Sequence, residues 1–105
     1  RGRRVRLETP AEILAKKVVF RGAQLQPRDM FDIAATAKAL GTNYVTAALS
    51  AFPAACREAL VVVERMDPRL VQSVTGKLLV NDAFGALRHE AQAVTGTLLQ
   101  AALSF

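Results

Sequence analysis

The chain has no tryptophan, one cysteine, one histidine and only six aromatic residues among 105. Each scarcity excludes something. A lone Cys56 can form neither an internal disulfide nor a multi-thiolate zinc site, and a reducing compartment is its natural setting. In "FPAACREAL" it falls on the apolar side of a helix, where a small buried hydrophobe is a better reading than a nucleophile. With His89 as the single histidine, His-rich metal sites are excluded and a Cys-His catalytic pair is not expected. "LRHEAQ" places that residue on the surface or boundary of a helix. No apolar run approaches the ~20 residues that span a bilayer, and nothing reads as the apolar core of a signal peptide. The expectation is a soluble, cytoplasmic protein with no membrane partner.

What is present points to helices. Half the residues are hydrophobic, alanine and leucine dominate, and 22% are charged. That composition favours helix over sheet and folding over disorder. A chain of this length supports one domain and one core. The net charge of +5 is uneven: residues 1–28 hold eight Lys/Arg against two Asp/Glu, whereas the rest hold six against seven. Arg1, Arg3, Arg4, Arg6, Lys16, Lys17, Arg21 and Arg28 therefore crowd one end, a pattern that attracts phosphate on nucleotide or RNA. For Arg1 to Arg4 alone, a solubilising tail explains the charge equally well.

"RRVRLET" alternates charged and apolar residues, which predicts a short β-strand with Val5 and Leu7 on one side. No second strand is predicted, so residues 1–8 read as an orphan strand or arm from a missing N-terminal domain. From residue 9 to 105 the pattern predicts an all-α bundle of five to six helices. "TPAE" is a strong start, with Thr9 as N-cap, Pro10 at the first helical position and Glu12 completing a capping box. This helix should stop near Arg21, before Gly22. A second begins at "QPRD" and ends near Leu40. Others are expected over about 43–51 and 53–66, then from "DPRL" with Asp67 as N-cap, and from "ND" at 81–82 to the end. The short connections imply a compact bundle.

Two features of the first helices carry chemistry. A helix advances about 100° per residue, so Lys16 lies beside Glu12 on the outer side. Lys17 instead falls between Ile13 and Leu14, with Arg21 on the same side. A lysine on an apolar arc either snorkels, its methylenes covering the core, or holds a cation in a cleft to meet a phosphate. Geometry by itself favours snorkelling. In the second helix, Met30, Phe31, Ile33, Ala34, Ala37 and Leu40 form the core face, and Arg28 and Asp32 are placed to pair at i,i+4. Asp29 lies at the border in the first turn. There it can complement the helix dipole, anchor a basic side chain, or shape a metal and phosphate pocket.

"ETPAEILAKK" followed by "PRDMFDIA" resembles the C-terminal half of the AbiEii/AbiGii toxin family of nucleotidyltransferases. That family pairs a Glu-x-x-x-x-Lys helix with an Arg-Asp-x-x-Asp-Leu helix. Glu12, Lys17, Arg28, Asp29 and Asp32 match, with Ile33 in place of the leucine. The match is detailed over about the first forty residues and general beyond them. It implies transfer of a nucleoside monophosphate from a nucleoside triphosphate with Mg²⁺, in some members as a toxin that modifies tRNA and is restrained by a cognate antitoxin. By the same resemblance Lys17, Asp29 and Asp32 are the expected catalytic residues. Arg21 and Arg28 are candidates for phosphate or nucleic-acid contact. The family's metal-binding carboxylates sit in an Asp-x-Asp motif on an N-terminal sheet, beside a Gly-Ser or Gly-Gly motif. This chain has no Asp-x-Asp and no Gly-Ser, so it is expected to hold no metal and to be inactive alone, as a C-terminal fragment. A homodimer through the exposed strand is a further expectation. The alternatives are a basic helical module that binds nucleic acid or protein without catalysis, and a purely structural or oligomerisation domain, which the Ala-rich stretch "NYVTAALSAFPAACREALVVV" suits.

Overall fold

Thr9 opens the first helix. In the computed structural model, which describes residues 9–77 and 85–104, its hydroxyl accepts the Glu12 N–H at 3.1 Å and Glu12 Oε1 accepts the Thr9 N–H at 2.9 Å. This reciprocal cap satisfies two of the donors that a helix start leaves unpaired. Helix α1 then runs Pro10–Arg21 and stops at Gly22, whose φ of +33° and ψ of −105° turn the chain out of the helix. A 3-10 turn (Gly22–Gln24) leads into α2 (Pro27–Leu40), which stops at Gly41 with φ +106°. Helix α3 (Thr42–Leu49) and α4 (Pro53–Arg65) follow, the second starting at a proline in the first turn. Asp67 caps α5 (Pro68–Thr75) by accepting the Arg69 N–H at 2.9 Å, and α6 spans Leu87–Leu103.

The described residues thus form an all-helical fold of six α-helices and one short 3-10 turn. The strand expected at residues 1–8 and the cap expected at 81–82 lie outside the described residues.

Helix α6 is the centre of the bundle, packing most extensively on α2 and α4 and also on α3 and α5. Val18, Leu25, Met30, Ile33, Val45, Leu49, Leu98 and Leu99 are wholly buried in one core. Burial of such side chains contributes about 1.5–3 kcal/mol each. Two polar side chains lock α6 in place. Thr95 Oγ1 donates to the Met30 carbonyl at 2.9 Å, and Gln92 Nε2 donates to the carbonyls of Val63 and Met66, both at 2.9 Å. The second contact satisfies acceptors that the end of α4 would otherwise leave open.

Two details of the predicted α2 face differ. Leu40, expected in the core, is half exposed, because Gly41 swings the chain away one residue later. Asp29, expected at the border, is 2% exposed.

Candidate functional site

Helices α1 and α2 meet through two ion pairs. Lys17 Nζ lies 2.7 Å from Asp32 Oδ2, and Arg21 Nη1 lies 2.8 and 2.9 Å from the two oxygens of Asp29. The later residue of α1 meets the earlier residue of α2, as an antiparallel helix pair requires. The 3-10 turn between them makes that geometry short and obligatory. Four of the five predicted site residues are therefore brought together along one seam.

The two pairs differ in character. Asp29 is buried and fully engaged: besides Arg21 it accepts the Gln26 N–H at 3.0 Å, capping the start of α2. Removing it would take away both the partner of the half-exposed Arg21 guanidinium and the acceptor of a helix-start donor. The Lys17–Asp32 pair is open, with side-chain exposures of 31% and 47%. It forms part of the wall of a pocket of about 280 Å³ lined also by Pro10, Ile13, Leu14, Ala35 and Thr36. An ammonium has three donors, and this one gives one to Asp32. Lys16, one residue away, is exposed, whereas Lys17 is half-buried as the helix arithmetic predicts.

Sequence reasoning paired Asp32 with Arg28; its partner is instead Lys17, fifteen residues upstream. Arg28 is exposed and forms no ion pair among the described residues. The i,i+4 spacing was a real opportunity, but a lysine projecting from the facing helix is already beside the carboxylate. The only sequence signal for this is the short connection between α1 and α2.

Among the described residues, no group of three or more His, Cys, Asp or Glu side chains could hold a metal ion. Asp29 is committed to Arg21 and to the helix cap, so the two α2 carboxylates do not make a Mg²⁺ site on their own. No family model, curated protein or solved structure matches this chain. The functional reading therefore stands on the residues themselves.

The remaining reactive side chains have structural work. His89 Nδ1 lies 2.8 Å from Gln72 Oε1 while Gln72 Nε2 donates to the His89 carbonyl, tying α5 to α6. Cys56 is buried and its thiol donates to the Leu49 carbonyl at 3.3 Å. Burial pushes the thiol pKa up, opposed in smaller measure by Arg57. Native protein should accordingly resist iodoacetamide until it is unfolded by denaturant, which mass spectrometry of the alkylated chain reads directly. A folded-state pKa above the unfolded one contributes stability below the ordinary thiol range, and this is lost as pH rises through the folded value. Denaturation midpoints should thus fall in strong alkali, and less so for Cys56→Ala relative to its own neutral value. No single helix among the described residues is long and apolar enough to cross a membrane.

Proposed function

We propose that this chain is the C-terminal helical part of an AbiEii-like nucleotidyltransferase. In this reading the chain presents Lys17, beside Asp32, to the phosphates of a nucleoside triphosphate. An N-terminal sheet domain completes the site. The observation that carries the reading is the meeting of Lys17 and Asp32 at an open pocket, between two helices whose residues match that family's paired pattern. A lysine that only snorkelled would need no carboxylate partner from a second helix.

The reaction forms a bond between an acceptor hydroxyl oxygen and the α-phosphorus and breaks the bond to pyrophosphate. Mg²⁺ on the sheet domain's carboxylates would offset charge on the triphosphate. The part of this chain is positioning. Asp32 holds the Lys17 ammonium at the pocket wall until phosphate oxygens compete for its free donors. Asp29 fixes one end of Arg21, leaving the half-exposed guanidinium to meet phosphate on the acceptor, with tRNA as the acceptor class that the resemblance suggests. Arg28, exposed in the first turn of α2, extends the same basic edge.

A second reading has one observation in its favour. Phe20 is 82% exposed on α1, between Lys16 and Arg21 in sequence, and an aromatic among cations suits base stacking without catalysis.

Labelled nucleoside triphosphates, Mg²⁺ and total tRNA separate the two. The 105 residues alone should transfer no label, and the same residues joined to their N-terminal sheet domain should transfer it. Robust transfer by the 105 residues alone would contradict the division of labour. RNA binding by the joined protein, with no transfer to any acceptor, would favour the second reading.

A further inference from the structure

We propose that the outer face of α4 is a two-fold interface to a second copy of this chain. Cys56, Ala59 and Val63 turn α4's inner side to the core. On its outer side Glu58, Val61 and Arg65 are exposed at spacings of three and four, so they share one face, which Val62, half-buried against the core, borders. With Ala23 and Met66 they line an open pocket of about 500 Å³. Its apolar centre is accessible, Val61 being 45% exposed. Glu58 and Arg65 form no ion pair among the described residues. They cannot satisfy each other within one chain, because seven residues of helix separate them by about 10 Å along the axis.

The stripe is complementary to itself. Lay a second α4 antiparallel on the first, with the two-fold axis level with the Val61–Val62 bond. Glu58 then faces Arg65 of the other copy, twice, and Val61 faces Val62, twice. A parallel copy would instead oppose Glu58 to Glu58 and Arg65 to Arg65. Sliding the antiparallel copy by one residue in one direction opposes Glu58 to Glu64 and Arg57 to Arg65, and in the other it sets Glu58 against Met66 and Arg65 against Ala59. Like charges disfavour the parallel copy and the first slide, and the second slide leaves Glu58 and Arg65 without partners, so one arrangement pairs both charges while covering the valines. This is the self-complementarity that a two-fold interface demands. A nucleic acid would meet the Glu58 carboxylate at one end of this stripe and apolar valines at its centre, which argues against that occupant.

Sedimentation velocity over a range of concentrations tests the interface. The unaltered chain should form a dimer. Glu58→Arg and Arg65→Glu, each alone, turn two attractions into two repulsions and should weaken the dimer about tenfold or more. The double variant Glu58→Arg/Arg65→Glu should restore it. Mixing the two single variants in equal amounts should form a heterodimer that neither makes with itself, an outcome that misfolding cannot imitate. A chain that stays monomeric at every concentration overturns the proposal. So does a dimer indifferent to the single swaps, which is what association through residues 1–8 would give.

Discussion

Lys17→Ala should, on the proposed function, abolish nucleotidyl transfer when these helices are joined to an N-terminal sheet domain of the family they resemble, while the melting temperature falls by no more than about a few degrees. The ion pair lost is partly exposed on both sides, and such pairs contribute no more than about 1 kcal/mol. Asp32, left behind, is open enough to be solvated. Lys16→Ala is the matched control one residue away: its side chain is exposed, and its removal should alter neither turnover nor folding. The pair of variants separates a phosphate contact from a snorkelling lysine. If Lys17 only covers the core, its loss should lower thermal stability and spare turnover per folded molecule. Equal turnover for the two variants, normalised to folded protein, would remove Lys17 from the proposed site.

The second large effect is on stability and concerns Asp29. Asp29→Ala should destabilise the bundle by about 1–2 kcal/mol, because it removes the acceptor that caps the start of α2 and the partner of Arg21, whose own exposure lets water replace part of the lost contact. In a domain of this size that lowers the melting temperature by roughly 5–15 °C. Asp29→Asn should fall between, since an amide oxygen can still accept the Gln26 N–H but offers Arg21 no charge. Asp32→Ala, at the open pair, should cost about 1 kcal/mol or less. The contrast is checked by thermal and urea denaturation of the three variants. Equal losses at Asp29 and Asp32 would mean that burial and the helix cap add nothing to the Arg21 contact. The result also guides the reading of activity, because a transfer defect in Asp29 variants must be corrected for unfolded protein.

Much of the helical layout is legible without coordinates because its signals are local. Thr9 and Glu12 cap each other within three residues, Pro10, Pro27, Pro53 and Pro68 stand in first turns, and Gly22 and Gly41 stand at stops. The third helix ends two residues earlier than its pattern suggests, at Leu49, with Phe52 and Pro53 already turning into α4. The distinction between Lys16 and Lys17 is also local, since it depends only on the angle between neighbours on one helix. Arg28 and Asp32 mark where that reasoning ends. Their spacing permits a pair, but a helical wheel is blind to what the next helix delivers.

Sequence by itself determined the helical class, most helix starts and stops, the concentration of positive charge at one end, and which of two adjacent lysines turns inward. Hydrogen bonds and side-chain angles within a few residues set these properties. Tertiary structure alone decided that Lys17 takes Asp32, that Asp29 is buried beneath Arg21, and that Glu58 and Arg65 form no ion pair among the described residues, on an open face. Those outcomes depend on how α1, α2, α4 and α6 pack. A charge takes the partner that packing brings within about 3 Å, whatever its spacing along the chain allows.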